Sequence, residues 1–242
     1  MMRLQAVIFD LDGTLIDSML LWRQVDTDFL AERGIAVPDD LFEHIPAGNS
    51  FINTAQYFQD RFHLSDSVDA IMKQWTRMVS HHYAHSVKLK PGARELLECL
   101  NQQGIRIGLG TSNSLELATI VLTATGIWDY FQTAITGCME LRGKPFPDIY
   151  LKAAEVLEVE PGHCLVIEDT LSGVMAGKNA GMNVFAIRDE DSQPEWEKIE
   201  AIADRMFDDF FQIRQILVSS DLSPIAGIDS FTPGALRESA PT

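Results

Sequence analysis

The chain has 242 residues, 46% of them hydrophobic and 22% charged, enough for one large domain or two modest ones around a substantial core. Its formal net charge of -16 argues against a nucleic-acid or anionic-membrane surface, since those partners reward clustered Lys and Arg, and leaves room for a phosphorylated metabolite met by a few local cations. Three cysteines without metal-ligand spacing (Cys99, Cys138, Cys164), no charged-then-apolar leader before the strand at Ala6, and no apolar stretch near the roughly 18 residues that span a bilayer set the expectation of a cytoplasmic protein with buried, reduced thiols.

Val7-Ile8-Phe9 reads as a buried strand that stops at Asp10-Leu11-Asp12-Gly13-Thr14. Gly13 frees the chain to leave the sheet, so Asp10 and Asp12 belong at the carboxyl end of a strand, where open α/β sheets bind ligands. Two carboxylates so spaced repel each other unless a cation or a task holds them; alone, they also fit a pair of solvated turn aspartates. Asp17-Ser18 then precedes a helical pattern in Leu21, Val25, Phe29 and Leu30 that ends at Gly34. Further helices are expected from about Ser50 to Phe62 and from about Asp66 to Tyr83. No strand is expected between Asp17 and Lys88, and these roughly seventy residues far exceed a βαβ crossover, so they form a helical lobe of their own.

From Pro91 the pattern alternates. A helix carrying Leu96, Leu97 and Leu100 stops at Gly104, and strands are expected at Ile105 to Leu109, Thr133 to Thr136, Cys164 to Ile167, Val184 to Ile187 and Ala203 to Phe207. Between and after them, helices cover Leu115 to Thr125, Pro147 to Leu157, Ser172 to Ala180 and Phe210 to Leu217. This is an α/β chain with a doubly wound parallel sheet and an inserted helical domain. The Ser-, Pro-, Gly- and Ala-rich tail from Ser219 lacks periodicity and is expected to be extended or weakly ordered.

Three later strand ends carry groups that a phosphoryl-transfer site built on Asp10 requires. Gly110-Thr111-Ser112-Asn113 offers a hydroxyl and backbone N–H groups for phosphate oxygens, and equally a helix N-cap. Lys144 lies in Arg142-Gly143-Lys144-Pro145-Phe146-Pro147, where prolines stiffen the loop around a compact positive charge. The fourth strand stops at Glu168-Asp169, repeating the pattern seen at Asp10 and suggesting an oxygen-ligand cation of the Mg2+ type.

The order DLDGT, GTSNS, GKPFPD, IEDTLSG resembles the haloacid dehalogenase-like superfamily over roughly residues 4 to 217, in particular its branch with a helical cap, which contains small-molecule phosphatases and β-phosphoglucomutase-like enzymes. The resemblance implies a Rossmann-like core over 1–16 and 88–218, a cap over 17–87 and a tail over 219–242, with the fourth strand on one side of the first and the second strand on the other. It implies Asp10 as nucleophile, forming an aspartyl phosphate, and Asp12 as general acid and base. It implies Mg2+ held by the Asp10 carboxylate, the Asp12 carbonyl and Asp169, with Glu168 supporting it directly or through water, while Thr111 and Lys144 neutralise the phosphoryl oxygens and Ser112 and Asn113 sit beside them.

Dehalogenating relatives lack the second aspartate, so Asp12 favours phosphate chemistry. The β-phosphoglucomutase pattern has a histidine where this chain has Trp22 and an arginine in a cap loop near Ser50; lacking that fork for a second phosphate, the chain reads as a phosphatase ahead of a sugar-phosphate mutase. A non-catalytic phosphate sensor ranks third. Trp22, Asn49 and Ser50 are the expected substrate contacts in the cap, and His81, His82 and His85 read as a solvated or interlobe face. The expected partner is a small phosphate ester, with neither nucleic acid nor membrane, and the chain is expected to be a monomer or weak dimer.

Overall fold

The computed structural model describes residues 4–41 and 50–219. In chain order these form β1 (Ala6–Phe9), α1 (Met19–Ala31), α2 (Phe51–Arg61), α3 (Val68–His85), α4 (Ala93–Gln102), β2 (Arg106–Thr111), α5 (Leu115–Ala124), β3 (Thr133–Thr136), α6 (Asp148–Val156), β4 (Cys164–Glu168), α7 (Leu171–Asn179), β5 (Asn183–Ile187), α8 (Trp196–Ile202), β6 (Arg205–Phe207) and α9 (Phe210–Ser219). The six strands make one parallel sheet in the order β3-β2-β1-β4-β5-β6, a Rossmann-like α/β core. No described helix is long and apolar enough to cross a membrane.

β1 is buried throughout, and its side chains alternate between two cores. Val7 and Phe9 join the apolar faces of α4, α5 and α9, whereas Ala6 and Ile8 join those of α6, α7 and α8. This two-sided covering is why the strand reads as an unbroken apolar run. Phe9 pairs with Leu109 on β2 and with Ile167 on β4, and the ladder continues with Asp10 N–H donating to the Ile167 carbonyl at 3.0 Å. In this register the residue after Phe9 stands beside Gly110 and Glu168, so Asp10, Thr111, Glu168 and Asp169 emerge at one edge.

The chain leaves and re-enters this edge through adjacent segments. Asp17 N–H donates to the Lys88 carbonyl at 3.0 Å and Lys90 N–H to the Leu15 carbonyl at 2.9 Å, with Ile16 bridging Leu89. Between these points α1, α2 and α3 close around an aromatic cluster in which Phe58 meets Trp75 edge-on at 5.0 Å and Phe29 lies 5.5 Å from Trp75. Ser50 caps α2 by accepting from Asn53 N–H, and Ser67 caps α3 by accepting from Ala70 N–H. Phe51 N–H donates to the Ser112 carbonyl at 2.9 Å, and Arg23 pairs with Asp191 at 2.5 Å, tying the helical insertion to the sheet edge.

Three details differ from the sequence expectation. Helix α8 falls where the sequence reading named no element, because just one of its residues, Ile199, is buried and no apolar stripe announces it. Of the three thiols only Cys164 is buried; Cys99 is half-buried and Cys138 is exposed on the turn after β3. Glu168 extends β4 by one residue, which places its carboxylate inside the sheet edge, fully buried, and not on the loop beyond. The expected tail beyond Ser219 lies outside the described residues.

Candidate active site

Asp10 sits at the tip of β1 and is 6% exposed. Lys144, carried by the loop between β3 and α6, reaches into the edge so that its ammonium donates to Asp10 Oδ1 and to Glu168 Oε1, each at 2.5 Å. Arg142 stiffens the same loop, holding both oxygens of Asp148 at 2.9 Å. Burial works against the Lys144 charge, yet the Asp10 and Glu168 carboxylates outweigh it and hold the ammonium above the ordinary lysine value. Burial also pushes the Asp10 carboxyl up to about 8, opposed by Lys144 and reinforced by Glu168 and Asp12.

Glu168 is held from every side. Its Oε1 accepts from Lys144 and from the Tyr150 hydroxyl at 2.7 Å, and its Oε2 accepts from Asp169 N–H, Thr170 N–H and the Thr170 hydroxyl. Gly173 on α7 leaves the space it fills, since a Cβ there would lie 1.8 Å from Glu168 Oε1. Asp169 is the opposite case. Its Oδ1 accepts from the Thr14 hydroxyl at 2.6 Å, while its Oδ2 is buried with no partner among the described residues. Burial, then Glu168 and Asp10, push its carboxyl well above the ordinary range. Gly13, with φ of +77°, brings the backbone so near that a Cβ would lie 2.4 Å from that Oδ2.

One oxygen from each of Asp10, Glu168 and Asp169 lies within 4.8 Å of the others, all three residues buried. Three carboxylates against one ammonium, with an orphaned buried oxygen among them, are not at rest by themselves. A hard divalent cation bound by oxygen fits this donor set.

Asp12 faces the helical insertion. Its Oδ1 accepts from the Ser18 hydroxyl at 2.7 Å, from Trp22 Nε1 at 3.1 Å and from the Tyr83 hydroxyl, and its Oδ2 accepts from Asn113 Nδ2 at 2.9 Å. Burial and the neighbouring Asp12 charge raise the Tyr83 phenol well above 10, so it stays a donor. Tyr83 also accepts from Trp22 Nε1 at 2.9 Å, closing a network of insertion and core residues around one carboxylate.

The other expected residues are placed as follows. Thr111 is buried and its Oγ1 accepts from Asn113 N–H, leaving the hydroxyl proton to donate. Ser112 is half-buried at the same edge. Asn113, an expected substrate contact, directs its amide nitrogen at Asp12, and the helix cap of α5 is Ser114. Ser50 uses its hydroxyl as the α2 cap. Asn49 lies outside the described residues. His81, His82 and His85 are exposed, the first and third with rings 4.7 Å apart. Sequence reasoning missed Tyr83, Tyr150 and Thr14. Of these only Tyr83 left a trace, as the one hydroxyl-bearing residue ending the apolar stripe of α3 just before the chain returns to the sheet.

Residues 7–187, spanning this edge and all but the last strand, match the family described as haloacid dehalogenase-like hydrolase. The chain belongs to that family. It is similar to Hexitol phosphatase A of Escherichia coli (strain K12), 30% identical over 83% of this chain and 91% of the relative. It is also similar to the Phosphorylated carbohydrates phosphatase of Thermotoga maritima, 31% identical over 74% of this chain and 82% of the relative. Among solved structures, CbbY from Rhodobacter sphaeroides in complex with phosphate superposes with a TM-score of 0.78, at 25% identity, over 88% of this chain and 96% of that one. The haloacid dehalogenase-like protein described here is accordingly a phosphoric monoester hydrolase. The family generally uses a divalent metal.

Proposed function

We propose that this enzyme is a Mg2+-dependent phosphatase of small phosphorylated carbohydrates, sugars or sugar alcohols, acting through an aspartyl phosphate on Asp10. The observation that carries the reading is the meeting of Asp10, Lys144 and Asp169 at one buried edge, with one Asp169 oxygen unpartnered. The substrate class is supported by the names of the two relatives, a hexitol phosphatase and a phosphorylated carbohydrates phosphatase.

In this reading the α1–α3 insertion is a cap over the edge, which excludes water and contacts the substrate. An Asp10 carboxylate oxygen attacks phosphorus, and the ester oxygen leaves with a proton from Asp12. Asp12 then takes a proton from the water that attacks the aspartyl phosphate, releasing inorganic phosphate and restoring Asp10. Lys144 and the Thr111 hydroxyl offset charge on the phosphoryl oxygens. Asp10, the Asp12 carbonyl and Asp169 are the residues that would hold Mg2+. When bound, the ion supplies the positive charge that lets a phosphate dianion approach a carboxylate. Glu168, whose oxygens already take five donors, serves here to anchor Lys144.

Two tests follow. With Mg2+, purified enzyme should release phosphate from a hexitol 6-phosphate faster than it forms any phosphate isomer. Dialysis against EDTA should lower that rate by about a hundredfold or more, and Mg2+ should restore it and raise the melting temperature. Undiminished turnover in EDTA would exclude the metal, and isomer formed ahead of phosphate would make the enzyme a mutase. Second, Tyr83→Phe removes one donor from Asp12 and should lower kcat by about tenfold while leaving KM nearly unchanged, the scale of one hydrogen bond to a charged group. A change confined to KM would remove Tyr83 from the positioning of Asp12.

A further inference from the structure

One buried carboxylate takes no part in the assembly around Asp10. Asp26 on α1 is only 9% exposed, yet no described residue hydrogen-bonds or ion-pairs with it. Burial, unopposed by any partner, pushes its carboxyl up to about 7. Its oxygens keep a little solvent contact, unlike Asp169 Oδ2, and no described partner replaces the hydration that burial takes from the rest of the group. Its position on the helix indicates what it faces. Ser18, Trp22 and Asp26 follow one another at intervals of four, so they lie along one side of α1. The first two meet the Asp12 carboxylate, which marks that side as the wall of the crevice. Leu30, next on that line, and Val25 and Phe29 on the adjoining side belong to the hydrophobic core, where Phe29 packs against Phe58 and Trp75, so Asp26 lies between the crevice end of this side and its core end. Asp26 therefore stands one helical turn, about 6 Å, beyond Trp22, the residue of α1 that donates to Asp12.

We propose that Asp26 is a specificity-determining residue whose carboxylate hydrogen-bonds hydroxyl groups on the substrate's carbon chain, beyond the phosphate ester. This rests on the phosphatase reading above. A second phosphate at that place would meet a like charge, and a bare hydrocarbon would leave the carboxylate as unpaired as it is now; a polyol offers donors and repels nothing.

The experiment compares the wild type with Asp26→Asn and Asp26→Leu on sorbitol 6-phosphate and related pentitol and hexose phosphates, against p-nitrophenyl phosphate, which has no hydroxylated chain. The quantity read is the ratio of kcat/KM for the best polyol phosphate to that for the aryl phosphate. In Asp26→Leu this ratio should fall by about tenfold to a hundredfold, carried by KM, with a smaller fall in Asp26→Asn, which keeps hydrogen-bonding atoms. Removal of the buried charge should leave the melting temperature of Asp26→Leu equal to or above that of the wild type, which separates loss of recognition from loss of fold. An unchanged ratio in both variants, or a wild type that turns over no polyol phosphate while hydrolysing p-nitrophenyl phosphate, overturns the assignment of Asp26 and leaves the phosphatase reading in place. A wild type that hydrolyses none of these esters in Mg2+ overturns both.

Discussion

Asp10→Asn will release phosphate at least about ten-thousandfold more slowly than the wild type, the scale on which loss of a covalent nucleophile is felt. The substitution keeps the size and planar shape of the side chain, and it replaces a carboxylate that burial already pushes up to about 8. The fold should therefore persist, with Glu168 still paired to Lys144. In the proposed mechanism what disappears is the attacking oxygen, and neither Asp12, held by four donors from the insertion and the core, nor the saturated Glu168 is placed to substitute for it. Single-turnover phosphate release, with acid-quenched protein assayed for covalently bound phosphate, checks this directly. Mass spectrometry of the variant before assay removes the contribution of any chain deamidated back to Asp. Turnover within about tenfold of the wild type would take Asp10 out of the nucleophile role.

Lys144→Met should damage both stability and catalysis, because the ammonium that pairs two buried carboxylates is also the one the proposed mechanism sets against the phosphoryl oxygens. Its side chain is 2% exposed and its partners Asp10 and Glu168 are buried as well. Removing the cation leaves two buried carboxylates without their shared partner, a change that typically costs about 3–5 kcal/mol. On the catalytic side, losing one preorganised charge near the phosphoryl oxygens should lower kcat by about a hundredfold to a thousandfold. The pH dependence has a definite sign. A carboxyl raised in the folded state, as Asp10 is from 3.8 to about 8, contributes stability below its unfolded value and loses it as pH rises through the folded one. Below about 8 the two proteins lose this contribution in parallel; above it the wild type stops losing while the variant, in which Asp10 is raised further without Lys144 opposing it, goes on, so the variant's deficit in urea melts, measured in EDTA, should grow as pH rises above about 8. Mg2+ should recover part of the loss. A deficit independent of pH and of Mg2+ would mean that Lys144 acts only by packing.

The two substitutions probe the same edge from opposite signs of charge, and their comparison separates the chemistry from the scaffold. Asp10→Asn lowers the negative charge of the cluster and should leave the melting temperature near or above that of the wild type. Lys144→Met raises it and should lower the melting temperature. If both variants unfolded alike, the acidic cluster would be a structural device and the mechanism built on it would fail.

Much of the architecture was legible in the chain. The apolar runs ending at Asp10 and at Glu168-Asp169, the alternation of strands with helices after Pro91, and the long helical stretch before Lys88 are local patterns, set by which side chains a two- or 3.6-residue period turns toward water. The order of the four motifs carried the family as well. The same reasoning passed over α8, whose one buried residue makes no stripe, and placed Cys138 among buried thiols because burial of a turn depends on what lies above it.

What the sequence determined by itself was the set of strand tips and the charged groups upon them, because hydrophobic period and turn chemistry are properties of neighbouring residues. Only the tertiary structure decided which group meets which. It joined Lys144 to Asp10 across 134 residues and Tyr83 to Asp12 across 71, filled every acceptor site on Glu168, and left one oxygen of Asp169 and the carboxylate of Asp26 without a partner among the described residues. Polar pairing is short-ranged and directional, so it is settled by packing that brings distant segments within about 3 Å of one another, and no periodicity along the chain encodes that distance.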